Sequence, residues 1–155
     1  MSPRFYVDQD HFEGSFLLTD SEFHHLSRVM RIRVGEDVEL INGHGILAHA
    51  RVEEINKAAA RLLILESIEI PPPTPSLLLG VALFRLNRLE WLIEKGTELG
   101  ASGFYLFPAE RSEQEQPSYH QLLRLRHLAI PAMKQCARLY LPDITFCNSL
   151  PALLN

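Results

Sequence analysis

Four groups of side chains in the second half of the chain could act on an anion. Arg85 and Arg88 bracket Asn87; Lys95 and Glu98 lie three apart; Glu110-Arg111-Ser112 is a compact polar triplet; Gln135 and Arg138 are again three apart. A guanidinium presents a rigid fork of N–H donors that fits phosphate and carboxylate oxygens two at a time, so the arginines point to an anion site. At their spacing Gln135 and Arg138 would share a helix face. Lys95 and Glu98 read more simply as a solvated ion pair, and Trp91 as a packing or interface residue. No side chain stands out as a general base.

The first half holds a second cationic group. Arg28, Arg31 and Arg33 crowd into six positions of an otherwise acidic segment: residues 1–76 carry 7 Lys+Arg and 12 Asp+Glu, against 8 and 7 in residues 77–155. Such a cluster can dock a phosphate backbone, because local charge rather than net charge sets where an anion lands. The plainer alternative is a helix end with cations near its C-terminus. The net charge of −4 excludes a generally basic nucleic-acid binder. Other chemistries find no support. Cys136 and Cys147 form no CxxC pair and cannot alone make a zinc site. The adjacent His24 and His25 do not converge on one helix face, so no metal is expected. Neither GxGxxG nor GxxxxGK[ST] occurs, so no cofactor-cradling loop is recognisable.

The elements that must position these groups divide at Pro71-Pro72-Pro73-Thr74-Pro75. Four prolines in five residues cannot join a sheet ladder and favour a stiff spacer. Before it, strands are predicted at Arg4–Val7, Ser15–Leu18, Val38–Ile41, Ile46–Ile55 and Arg61–Ile70, with Leu62–Leu65 buried on both faces. The tetrapeptide Asn42-Gly43-His44-Gly45 makes a hairpin turn. The pattern Thr19-x-x-Glu22 reads as a capping box that opens a helix carrying Phe23, Leu26, Val29 and Met30, ended by Val34-Gly35-Glu36. Short strands plus one helix suggest a small β-barrel over residues 1–70.

After the linker, residues 71–76, the period changes. Leu77–Phe84 is a continuous apolar run, the mark of a strand covered on both faces. Asn87 can cap a helix whose apolar stripe is Leu89, Leu92, Ile93 and Leu99, with Gly100 at its end. Phe104–Phe107 follows as a strand. Strand–helix–strand at this length is a βαβ unit with a parallel pair. Ser118-x-x-Gln121 caps a longer helix through Leu122, Leu125, Ala129, Met133 and Ala137, with a kink or break expected at Pro131. Ile144–Cys147 is a third strand, and Leu150–Leu154 an apolar end left partly exposed. Loops at the carboxyl ends of neighbouring parallel strands emerge on one side, so Arg85 and Arg111 should share one edge of the sheet. The competing expectation pairs them with the nearby Glu110, Glu113 and Glu115.

Together these residues resemble the RsmE family, the small-subunit ribosomal RNA uridine-N3 methyltransferases of the SPOUT class. The resemblance rests on the run from Arg88 through Lys95 and Glu98 to Gly100, on Phe107-Pro-Ala-Glu-Arg111-Ser112, and on Gln135-Cys-Ala-Arg138 with Pro142 beyond. In the first half Pro3-Arg-Phe-Tyr-Val7, His25-Leu-Ser-Arg-Val-Met-Arg31 and Val34-Gly35 look like the family's PUA-like barrel. Arg85 departs from the lysine usual at that position but keeps the cation, and Pro131 replaces an ordinary helix former.

The resemblance implies a PUA-like RNA-binding barrel over residues 1–70 and, over 77–155, the first part of an α/β SPOUT domain truncated before its knot. It implies an S-adenosyl-L-methionine-dependent enzyme acting on 16S ribosomal RNA, homodimeric when complete. Arg4, His25, Arg28 and Arg31 would contact RNA phosphates; Arg88, Arg111, Gln135 and Arg138 would line the approach to the active site, and Arg85 is a further candidate for binding RNA or substrate. The cofactor-binding loops are expected beyond Asn155, so the chain by itself is expected to be inactive and not to bind the cofactor. The absence of any apolar run long enough for a membrane span makes a soluble cytoplasmic protein the default. Two other functions stay open: a stand-alone RNA-binding or ribosome-associated module without catalysis, and a small-molecule-binding α/β domain fused to a barrel.

Overall fold

The structure is a computed structural model that describes residues 2–112 and 116–154. Glu113 and Glu115, named above as possible partners of the arginines, lie outside the described residues. The chain divides into two compact units, Met1–Pro71 and Pro72–Asn155.

In the first unit five strands form one mixed sheet: β1 (Arg4–Tyr6), β2 (Ser15–Leu18), β3 (Asp37–Ile41), β4 (Ile46–Ile55) and β5 (Ala60–Glu69), in the order β1-β3-β4-β5-β2. β1 runs parallel to β3, and every other pair is antiparallel. Asparagine side chains make both hairpin turns. Asn42 Oδ1 accepts from the N–H groups of His44 (2.9 Å) and Ile46 (3.1 Å), with Gly43 and Gly45 at positive φ. Asn56 Oδ1 accepts from Ala58 and Ala59, both at 2.8 Å.

β1 and β2 end the strand order on opposite sides and do not pair with each other. Yet Phe5 of β1 and Leu18 of β2 share one core with Val38, Leu40, Ala50, Val52 and Leu62. The sheet must therefore curl, and register shifts between β4 and β5 supply the local bend. It is an open half-barrel, not the closed barrel expected from strand count; edge strands of three and four residues give little ladder for closure. Leu62 is buried, but Leu63 and Leu65 are exposed, so this stretch is buried on one face only.

The single helix expected after Thr19 is two pieces. α1 (Asp20–His24) passes into a π-helical turn over His25–Val29, where the Met30 N–H reaches the His25 carbonyl at 2.9 Å. The capping box does not form. The Thr19 hydroxyl turns to the Asp20 carboxylate, and Glu22 accepts from the Tyr6 N–H at 3.2 Å. Leu26 is fully buried, but the wider turn carries Val29 and Met30 off its face and into solvent.

In the second unit β6 (Leu78–Ala82), β7 (Gly103–Phe107) and β8 (Asp143–Phe146) form a fully parallel sheet in sequence order. The crossover helices α2 (Leu86–Leu99) and α3 (Tyr119–Gln135) pack on each other and on one face of the sheet, around Val81, Leu89, Ile93, Phe104, Leu106, Leu125 and Ala129. On the other face the short α4 (Leu150–Leu154) sets Leu153 against Gly80, where a Cβ would come within 2.9 Å of it. Leu77 and Leu78 are exposed, so the apolar run at β6 is not covered on both faces.

α2 begins at Leu86, not at Asn87, whose side chain accepts from the Arg88 N–H. Leu99 is exposed; the last inward residue is Thr97, whose hydroxyl donates to the Ile93 carbonyl at 2.6 Å. Gly100, at φ 105°, ends the helix in the left-handed region where a side chain is strained. Ser118 and Gln121 form a complete capping box on α3. α3 runs through Pro131 without a break and stops at Gln135. No helix among the described residues is long and apolar enough to cross a membrane.

Candidate functional site

The carboxyl ends of β6 and β7 open into a cleft of about 490 Å³. Leu83, Phe84, Arg85, Leu86 and Leu89 come from the β6–α2 connection, Arg111 and Ser112 from the loop after β7, and Pro117, Gln121 and Leu125 from the start of α3. Ser112 knits the two loops together. Its hydroxyl donates to the Leu83 carbonyl (2.9 Å) and accepts from the Ala109 N–H (2.9 Å), while its own N–H closes a turn on the Ala109 carbonyl. Arg85 and Arg111 thus share one cleft, as the parallel topology requires. Both are exposed, and neither forms an ion pair among the described residues. Two guanidiniums over an apolar floor of leucines suit a phosphate or an oxygen that gains negative charge. Sequence reasoning missed Ser112 as the tie between the loops, and Pro117 and Gln121 as cleft wall; the Ser118–Gln121 cap was the one available signal for the latter.

Arg88 is exposed in the first turn of α2, where it lines a shallow hollow with Phe84, Asn87, Trp91 and Leu92. Farther along, Lys95 Nζ meets Glu94 at 2.9 Å and Glu98 at 3.0 Å. These hydrogen bonds, first to Glu94 and then to Glu98, raise the lysine's pKa, so the group is an ion-paired surface cation. Glu90 is taken by Arg124.

Gln135 and Arg138 stand elsewhere. Both helices run antiparallel to the strands, so their C-termini lie at the opposite edge of the sheet. α2 alone, at 14 residues, spans roughly 21 Å. Nor do the two residues share a helix face: α3 ends at Gln135, and Ala137 at φ 58° turns the chain back. The Arg138 guanidinium lies over Gly100 at the end of α2, and its Nε is buried with no hydrogen-bond partner among the described residues. A cation there also faces the negative end of the helix dipole.

In the first unit Arg4 is committed to Glu39. Its Nε and Nη2 reach one carboxylate oxygen at 2.8 and 2.6 Å, and the two side chains are only 13% and 12% exposed. His25 is half-buried with its ring edge-on to Phe5 at 5.9 Å. Arg28, Arg31 and Arg33 are exposed and form no ion pair among the described residues. Between the last two, Ile32 is buried and its N–H bonds the Leu26 carbonyl, which leaves the arginines on either side in solvent. Arg31 sits at φ 54°.

Comparison with known proteins bears on both units. Residues 71–155 match the family described as RNA methyltransferase domain, and residues 18–65 the one described as RNA methyltransferase PUA domain. A relative named ribosomal RNA small subunit methyltransferase E, from Mycobacterium tuberculosis, is 32% identical over 155 residues, covering 97% of this chain and 59% of the relative. Its namesake from Synechocystis is 31% identical over 134 residues, covering 85% and 43%. Among solved structures, the ribosomal RNA small subunit methyltransferase E of Neisseria gonorrhoeae, bound to S-adenosyl methionine, superposes with a TM-score of 0.78 at 25% identity, covering 94% of this chain and 62% of that one. The chain spans about half the length of the curated relatives it matches, from 43% to 59%.

Proposed function

The chain belongs to the RNA methyltransferase domain family, and from that premise we propose that it serves the methylation of N3 of a uridine in 16S ribosomal RNA, with S-adenosyl-L-methionine as methyl donor. In this reading residues 1–70 dock the RNA and residues 77–155 form the first part of a catalytic SPOUT domain. The protein works on the small ribosomal subunit in the cytoplasm.

The observation that carries the reading is the cleft shared by Arg85 and Arg111. Alkylation at uridine N3 requires loss of the imide proton, which leaves negative charge on the flanking carbonyl oxygens. Preorganised guanidiniums at that point stabilise the charge as it develops, on a base held out of its pairing. Arg28 and Arg31 supply phosphate contacts from the first unit, with Arg33 beside them. Arg4 is held by Glu39, and His25 packs against Phe5.

The described lining of the cleft brings two guanidiniums and no carboxylate, and its side-chain acceptors, Ser112 and Gln121, already take the N–H groups of Ala109 and Ser118, so it suits an anion and not a sulfonium cation. The methyl donor's pocket is therefore not assigned to these residues, and no step is routed through it. A homodimer, which the SPOUT resemblance implies, would let opposite sheet edges of two copies meet. That would give Gln135 and Arg138 a part in a shared site.

The test is methyl transfer by the protein that carries this chain to small ribosomal subunits, with the product nucleoside identified by mass spectrometry. N3-methyluridine is expected, with turnover lowered at least about tenfold by Arg111→Ala. Modification at another atom, or an unaffected variant, overturns the reading. RNA affinity should also fall steeply with salt, and Arg31→Ala should lower the salt slope by about one.

A further inference from the structure

We propose that the hollow formed by Phe84, Asn87, Arg88, Trp91 and Leu92 seats an unpaired RNA base next to the one held in the cleft. The inference rests on the RNA reading above and deepens it.

Trp91 is 63% exposed in the middle of α2, although tryptophan is usually well buried. It is not needed by the core, which α2 serves through Leu89, Ile93 and Thr97. Arg88 lies one turn before it on the same side, and Phe84, also exposed, stands just ahead of the helix. An aromatic patch of this kind marks a binding surface.

Charge decides what binds. Among the described residues lining the hollow the one ionic side chain is Arg88, with Arg85 close by in the chain. The nearest acids on the helix, Glu90 and Glu94, are engaged by Arg124 and Lys95. An apolar protein knob would leave the arginines uncompensated. A single-stranded nucleic acid satisfies both features, a base on the ring and phosphates on the guanidiniums. Asn87 adds a means of reading the base. Its carbonyl oxygen is used by the Arg88 N–H, while its amide NH2 makes no hydrogen bond among the described residues and can donate to a base oxygen. Phe84 lines both the hollow and the Arg85–Arg111 cleft, so the two spaces adjoin. A strand with one base in the cleft lays its neighbour on Trp91.

Trp91 is the only tryptophan in the chain, so its fluorescence reports on this spot directly. The experiment titrates the 155-residue chain with a short single-stranded oligouridylate and with an abasic oligomer of equal length and charge. Saturable quenching by the first alone is expected. With affinities of parent and variants read from the anisotropy of a dye-labelled oligouridylate, since the variants lack the tryptophan, Trp91→Leu should weaken binding about tenfold, and Trp91→Phe, which keeps a ring, should restore most of it. Equal response to the abasic oligomer overturns the proposal. So does an unchanged affinity in Trp91→Leu while binding stays salt-dependent, an outcome that spares the RNA reading. A fluorescence shift that grows with protein concentration alone would make the surface a contact between copies and also overturn it. Failure of every RNA to bind would instead sink the RNA reading itself.

Discussion

The hydroxyl of Ser112 donates to the carbonyl of Leu83 at 2.9 Å, and this bond fastens the loop that carries Arg111 to the end of the strand that leads to Arg85. Ser112 also accepts the Ala109 N–H, so one side chain satisfies two backbone groups. Ser112→Ala should cost about 1 kcal/mol, the net worth of an ordinary hydrogen bond, since the bond from Ala109 is exposed and the one to Leu83 only part-buried. Denaturant titration gives that value. RNA affinity should fall as well, but by less than in Arg111→Ala, because the cation remains and only its placement loosens. Affinity unchanged alongside reduced stability would show that the tie does not position Arg111.

What the sequence could reveal followed the range of the forces involved. The β6–α2–β7 unit and the shared edge of Arg85 and Arg111 were legible, because hydrophobic period and parallel topology are enough to place them. Gly100 and the Ser118–Gln121 cap were legible because each acts within its own turn. Thr19 and Glu22 carried an equally good local pattern and failed. The Tyr6 N–H on β1, distant in sequence, competes for the Glu22 carboxylate. The spacing of Gln135 and Arg138 promised a common face only if α3 continued, and the left-handed turn at Ala137 has no glycine to announce it. Leu62–Leu65 is apolar throughout, yet composition does not reveal that one side of β5 faces water.

The Gly100–Arg138 contact gives a prediction in which two causes separate. Gly100 has φ 105°, and a Cβ there would lie 2.7 Å from Arg138 Cζ and 2.9 Å from its Nη1. The guanidinium is the far end of a flexible side chain and can move; the backbone angle cannot. Gly100→Ala should therefore cost about 1–2 kcal/mol, set by the left-handed conformation. Adding Arg138→Ala should recover little of that loss. Full recovery in the double variant, measured by thermal or denaturant unfolding, would assign the cost to the clash instead.

Asp37 and Arg51 face each other across the β3–β4 ladder and pair at 2.8 Å. The hydrogen bond to Arg51 holds the Asp37 carboxyl below its ordinary range. A depressed folded-state pKa stabilises the fold above the ordinary carboxylate range, and the effect is lost as pH falls through the folded value. The pair is half-exposed, so the effect is small and weakens with salt. In Arg51→Ala, the Asp37 midpoint followed by carboxyl NMR should rise toward that of a free aspartate. No movement would mean that the pair does not persist in solution.

Arg4 and Glu39 form the more consequential pair, because both side chains are nearly out of water. Removing one partner strands a charge: Glu39→Gln keeps size and an acceptor but leaves the guanidinium uncompensated, with Nη1 already lacking a partner among the described residues. That variant should lose about 2–4 kcal/mol by denaturant unfolding. Replacing both, as Arg4→Met with Glu39→Leu, removes two desolvation costs together and should bring stability back close to the parent. A harmless Glu39→Gln would mean that the pair behaves as a surface bridge. The double variant also decides whether Arg4 touches RNA. If the arginine only shapes the sheet edge, RNA affinity and its salt slope stay at parent values once stability is restored. If Arg4 holds a phosphate, the slope drops by about one.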